Sequence, residues 1–252
     1  MNRLTLAVCL ASSLALGGGR KKADPDDPAP KKEKHDALGS IVLNGEKTEV
    51  RWTDGDSFNI KTGEYKGKGT RLQGYNTLEA YGPVHSWGAW TPQELYEIAK
   101  NSSKVAASGE WKCTTDGKLD GYKRLLIDCP DGAKQMVRTG TAMVYFVEGL
   151  KPDPELLALQ KEAQAKKLGI WAKGVVNGVI SSLHSMGEDG DEEKEAYNRV
   201  VNTHTGEALV RKHTHQYETC QTVCEETDGD KSCMVYVPFN RRYHGQPDCL
   251  LK

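Results

Sequence analysis

The chain has 252 residues, enough for one medium domain and a smaller addition. It is 37% hydrophobic with 26 glycines and a net charge of -1, which excludes a chain disordered throughout and a bulk positive field able to hold a polyanion. Any contact with nucleic acid must come from a local cluster.

Residues 1–19 read as an export signal: Asn2 and Arg3 give a short basic start, and LTLAVCLASSLALGGG supplies an apolar run ending in small residues. The run is too short for a stable membrane span, and Arg20 behind it argues for a secreted or periplasmic product. An uncleaved anchor is the alternative. Residues 20–38 are charged and proline-rich and read as a flexible tether. The main domain is expected over 39–175. SIVLNGEKTEVRWTDGDSFNI and YKGKGTRLQGYN read as short strands parted by glycine-bearing turns. TPQELYEIAKNSSKVAA predicts a helix with Thr91 as N-cap, Pro92 at its first position and Glu94 closing a capping box. DPELLALQKEAQAKKLG predicts another from Asp153-Pro154 to Gly169, with lysines in its last turn. QMVRTGTAMVYFV reads as mixed. Strands followed by helices imply an α+β or small-barrel domain rather than a parallel sheet. Residues 176–197, acidic at 187–196, read as a linker, and 198–252 as a cysteine-rich extension whose bridges replace a large core.

Cys9 lies in the signal. The other six cysteines are an even number in an exported chain, which favours disulfides. Cys113 and Cys129 flank a turn-rich stretch that returns on apolar residues, so a bridge across a hairpin is expected. Cys220, Cys224, Cys233 and Cys249 form two more bridges in one of three possible pairings. His204, His213, His215 and His244 mingle with them and invite a zinc reading, but no Cys-x-x-Cys pair is present and export favours oxidation.

Asp-Gly-Asp occurs at Asp54-Gly55-Asp56, Asp189-Gly190-Asp191 and Asp228-Gly229-Asp230. Alone the triplet is a tight turn, and that reading is assigned to the second and third copies. The first has company suited to a phosphodiester, whose hydrolysis needs a cation, fixed basic groups and a positioned water. TRLQGYNTLEAYG offers Arg71, Asn76, Thr77 and Glu79, and DGYKRLL adds Tyr122, Lys123 and Arg124. Hard oxygen donors suit calcium or magnesium, and arginine forks suit phosphate. Trp87, Trp90 and Trp171 read as packing residues, His85 as a surface histidine, and VPFNRRYHG as an auxiliary patch with Arg241 and Arg242.

TDGDSFNI, TRLQGYNTLE, LDGYKRLL, MVRTGTAMVY and KEAQAKKLGIW, in this order, resemble the staphylococcal nuclease, or thermonuclease, domain over residues 41–172. The resemblance implies an OB-type five-stranded β-barrel with about three helices, and cleavage of DNA or RNA with calcium bound at the barrel surface. It implies Asp56, Asp54, Asn76 and Thr77 as metal ligands, Thr77 through its carbonyl. Arg71 and Arg124 become the phosphate clamp and Glu79 the group beside the attacking water. Tyr122 and Lys123 bind substrate, and Tyr145 or Phe146 offers a base an aromatic face. The family's full calcium site carries aspartate where this chain has Asn76, so weaker calcium binding or another divalent ion is expected. Leu78 replaces the usual proline before the glutamate.

The leading expectation is therefore an exported, calcium-dependent, monomeric nuclease acting on DNA, RNA or both with little sequence preference. An impaired nucleic-acid-binding module and an envelope-interaction protein working through its cysteine-rich tail are the alternatives.

Overall fold

The computed structural model describes residues 36–147, 150–188 and 195–251. The expected export signal, most of the tether and the Asp189-Gly190-Asp191 triplet lie outside them. The chain opens with an antiparallel hairpin of β1 (Ala37–Leu43) and β2 (Glu46–Trp52), so Ala37 and Leu38 of the expected tether are already in a strand. Its two-residue turn is Asn44-Gly45, with φ of 50° and 90°, a left-handed pair that these residues tolerate and that matches strand twist.

There follow β3 (Phe58–Ile60), β4 (Thr70–Leu72), β5 (Tyr75–Thr77), β6 (Val84–Trp87), α1 (Pro92–Ala107), β7 (Trp111–Cys113), β8 (Leu125–Ile127) and α2 (Pro130–Arg138). After β9 (Ala142–Val144), β10 (Phe146–Val147) and α3 (Pro154–Ala165) come β11 (Gly178–Leu183), β12 (Ala196–Asn202), β13 (Glu207–His213), β14 (Thr222–Thr227) and β15 (Asp230–Val235). The molecule is thus α+β, with three α-helices among the described residues. Thr91 caps α1 with the complete capping box, and Leu95, Tyr96, Ala99, Ser102, Ser103 and Ala106 form its buried face at helical spacing. α3 starts on its Asp153 cap but ends at Ala165, four residues before Gly169. Lys167 turns left-handed at φ 53° and a 3-10 turn follows at Gly169–Trp171, so the lysines stand beyond the last helical turn.

The ladders form a sheet of order β3-β2-β1-β7 and the two-stranded pairs β4-β8 and β5-β9. Single bridges, Asn59 to Gly69 and Thr114 to Asp128, connect β3 with the start of β4 and β7 with the end of β8. Among the described residues no continuous ladder closes these strands into a barrel. One core lies beneath them, with Ile41, Val50, Trp52, Phe58, Ile127 and Val137 essentially inaccessible.

The later strands attach to the earlier part rather than standing apart. β11 falls within residues 176–197, read from sequence as a linker. Its apolar stretch Val179-Ile180 is buried in a sheet of order β10-β13-β12-β11. β14 and β15 form a hairpin that continues onto β6, with Met234 opposite His85. A second core joins Leu78, Trp87, Leu95 and Trp171 to Val179, Val201 and Ala208. Trp87 and Trp171 are buried as packing residues, and Trp90 donates its indole N–H to the Ile170 carbonyl at 3.0 Å.

All six described cysteines are paired, Cys113 with Cys129, Cys220 with Cys249 and Cys224 with Cys233, which settles the open pairing and leaves no thiolate for zinc. Among the described residues no helix is long and apolar enough to cross a membrane.

Candidate active site

The turn between β2 and β3 carries Asp54 and Asp56. It is fixed from three sides: the Thr53 N–H donates to Ser57, Leu72 N–H of β4 donates to the Asp56 carbonyl at 2.9 Å, and the buried Tyr75 hydroxyl of β5 donates to the Gly55 carbonyl at 2.9 Å. Gly55 is required by crowding, since a Cβ there would sit 2.5 Å from Thr77 Cγ2 and 2.7 Å from Met136 Cε. With no side chain at 55, the acidic turn lies directly against β5.

β5 brings the next two residues to the same place. Asp56 is 3% exposed, and its Oδ2 accepts from the Arg71 guanidinium and, at 3.1 Å, from the Thr77 N–H. Its Oδ1 accepts from the Ser57 hydroxyl at 2.8 Å. Arg71 also donates to Asn76 Oδ1 at 2.5 Å, and Asn76 Nδ2 donates to the Thr77 carbonyl at 2.6 Å. Arg71 is therefore fixed between Asp56 and Asn76, with its guanidinium 5.4 Å from the centre of the Tyr145 ring.

Asp54, Asp56, Arg71, Glu79 and Arg124 line one cleft of about 430 Å³. Burial, then the charges of Asp56 and Glu79, push the Asp54 carboxyl well above the usual carboxylate range. Glu79 is raised as well, by burial first and by Asp56 next. Arg124 is held at the rim by Asp120, which accepts from its Nε at 2.8 Å and from its terminal nitrogen at 2.7 Å. Tyr122 is exposed beside it, while Lys123 sits at φ 63° in the same turn and lines neither this cleft nor the groove next to it.

Four contributors escape the sequence reading. Tyr243 and Tyr81 form an aromatic wall with ring centres 5.7 Å apart, Tyr81 donates to Asp36, and Asp36 pairs with Arg51 at 3.1 Å. Tyr243 follows Arg242, whose side chain lies against Gly82 and is anchored on the Val237 and Leu183 carbonyls and Glu188. The aromatic and arginine-rich VPFNRRYHG was the available signal, but its position beside the acidic turn is set by tertiary packing. His85 is not a surface residue: it is 2% exposed, and its Nε2 accepts from the Glu79 N–H at 3.4 Å. Burial lowers its imidazole to about 3, so it is neutral in the folded protein.

Among the described residues no group of three or more His, Cys, Asp or Glu side chains is placed to hold a metal ion, so only the type of donor bears on a cation. Asp54, Asp56, Asn76 and the Thr77 carbonyl are all hard oxygen donors, with Asn76 and Thr77 buried behind the cleft rather than lining it, and the carboxyls of Asp36, Asp54, Asp56 and Glu79 share the cleft with the guanidiniums of Arg51, Arg71 and Arg124. Burial first, and crowded negative charge next, raise the Asp54 and Glu79 carboxyls.

An acidic turn and the arginines of β4 and the β7–β8 connection meet in one cleft of an α+β domain, with β5 packed behind them. Residues 69–173 match the family described as staphylococcal nuclease homologue. The match takes in Arg71, Asn76, Thr77, Glu79, Arg124 and Tyr145 and begins after Asp54 and Asp56, which the fold delivers to them. No curated protein matches the chain.

Proposed function

We propose that the protein is an exported nuclease that hydrolyses phosphodiester bonds of DNA or RNA with the help of a divalent cation, calcium first. The observation that carries this reading is the convergence of Asp54, Asp56 and Glu79 with Arg71 and Arg124 in one cleft. Asp54, Asp56, Asn76 and the Thr77 carbonyl would hold the cation. When bound, it would offset the charge of the carboxyls and polarise a phosphoryl oxygen.

The guanidiniums of Arg71 and Arg124 bind the non-bridging oxygens of the phosphate, where charge accumulates in the transition state. Glu79 accepts a hydrogen bond from a water and takes its proton as the water oxygen bonds to phosphorus. The opposite P–O bond breaks, and the departing alkoxide is protonated from solvent. A carboxylate raised above its ordinary value suits such a base, because its proton affinity lies nearer the working pH.

The test incubates purified protein with single-stranded DNA, with and without calcium, beside Glu79→Ala and Arg71→Ala. Calcium-dependent cleavage that falls about 10²- to 10⁴-fold in Glu79→Ala, with a comparable fall in Arg71→Ala, supports the enzyme. Binding without cleavage by the parent sinks it. That outcome would favour a binding module, the reading to which Asn76 points, because its amide supplies no charge and holds the Thr77 carbonyl.

A further inference from the structure

Beside the cleft runs a larger groove of about 940 Å³, which shares Arg71 and Arg124 with it. One bank holds Tyr122, Tyr145 and Phe146. The other is lined by His184, Ser185, Gly187 and Glu188, which follow β11, and by residues of β12, beyond the segment that matches the nuclease family. On β12 Ala196, Asn198 and Val200 are buried, so the alternate residues Tyr197 and Arg199 face the groove, as strand geometry requires. Tyr197 packs against His184 with ring centres 4.3 Å apart, and its hydroxyl lies 3.3 Å from that of Tyr122 on the opposite bank. Arg199 lies over the Tyr197 ring at 5.1 Å and has no ion pair among the described residues.

We propose that β12 supplies a second substrate bank, with Arg199 and Tyr197 binding the nucleotides of a single strand that flank the phosphate held at Arg71 and Arg124. The proposal rests on the nuclease reading. Three features select this occupant. The groove is continuous with the arginine clamp, and its volume exceeds what one mononucleotide fills. It also alternates guanidiniums with aromatic rings, the combination that tracks a backbone while stacking bases without sequence preference. Of the five described acidic residues that line the groove, Asp120 is paired with Arg124, Glu188 with Arg242 and Glu195 with Lys212, while Asp153 caps α3 by accepting from the Glu155 N–H and burial raises the Asp128 carboxyl. The hydroxyl contact between Tyr197 and Tyr122 makes a duplex a poor fit, because the banks touch across the groove.

The test compares steady-state kinetics on a nitrophenyl ester of a mononucleotide phosphodiester with those on an eight-nucleotide DNA strand, for the parent, Arg199→Ala and Tyr197→Ala. Each variant should raise KM for the octanucleotide about tenfold and leave the small substrate unchanged. Arg199→Ala should also flatten the salt dependence of octanucleotide binding by about 0.7 in logarithmic slope. Equal changes on both substrates, or none on either, would overturn the proposal while leaving the nuclease reading intact. If the parent cleaves neither substrate, fluorescence anisotropy of a labelled octanucleotide separates the two ideas. Binding that weakens in Arg199→Ala keeps the second bank and removes the nuclease, and no binding removes both.

Discussion

Gly55 separates two acids that only its own lack of a side chain lets reach β5. Gly55→Ala would place a methyl group within 2.9 Å of Ser102 Cβ and closer still to Thr77 and Met136, so the turn must move or α1 and α2 must yield. We expect a loss of about 1–3 kcal/mol in urea unfolding, with cleavage reduced in parallel; an unchanged midpoint would contradict the crowding argument. Asn76 is the second decisive residue. Asn76→Asp adds a formal charge and removes the amide donor that occupies the Thr77 carbonyl, so calorimetry should find calcium bound about tenfold more tightly. Tighter binding by the parent would refute this. Both acids of the first triplet, Arg71 and Glu79 were legible in sequence because each chemical type stands in a recognisable phrase. The necessity of glycine at 55 was not, because Thr77, Met136 and Ser102 come from three separate elements. Nor was the tie between Arg71 and both Asp56 and Asn76, which depends on the fold bringing β4, β5 and the acidic turn together.

β6 shows where local pattern fails. Val84-His85-Ser86-Trp87 looks half exposed when taken alone, yet β15 arrives from the far end of the chain and covers it. His85 is consequently buried, receives the Glu79 N–H on one nitrogen and bonds the Ile180 backbone. Its folded value, about 3, lies below the ordinary 6.5, so on acidification the unfolded chain takes up the proton before the folded one does. Stability therefore falls as pH drops from about 6.5 towards 3, by about 1.4 kcal/mol per pH unit from this group. His85→Gln, which cannot titrate, should reduce the pH slope of the unfolding free energy by about one proton across that window; an identical slope would exclude His85 as the source. The capped starts of α1 and α3 were readable from Thr91, Glu94 and Asp153, since caps are local chemistry. The end of α3 was not, because nothing local announces that Lys167 will turn left-handed.

At the level of the molecule, the cysteine-rich end is structural to the nuclease-like part. Val179, Val201 and Ala208 share a core with Trp87, Leu95 and Trp171, and β10 and β6 each gain a neighbour from it. A chain cut after residue 175 would leave β6 with an open edge and Trp171 uncovered, a combination that favours association. Such a fragment should show a lower Tm by circular dichroism and elute as aggregates in size-exclusion chromatography, whereas a monomer of unchanged Tm would show the extension to be dispensable. Composition alone suggested a bridged tail with little core. What it could not show is that the tail borrows the core of its neighbour, a property of two distant segments together. Three disulfides fit an oxidising compartment outside the cytosol.

The pairing of β6 with β15 also sets an order of events. A chain emerging N-terminus first can zip β1 to β2 within moments, since their contacts are near neighbours in sequence, and can close Cys113 to Cys129 soon after. β6 must wait until nearly the whole polypeptide has appeared. Contacts so remote in sequence form slowly, and an unfilled strand edge is a standing invitation to a second nascent chain. The last-made hairpin, locked across Cys224 and Cys233, therefore acts as the closing piece, and the yield of active protein should depend on how fast that piece is oxidised and seated.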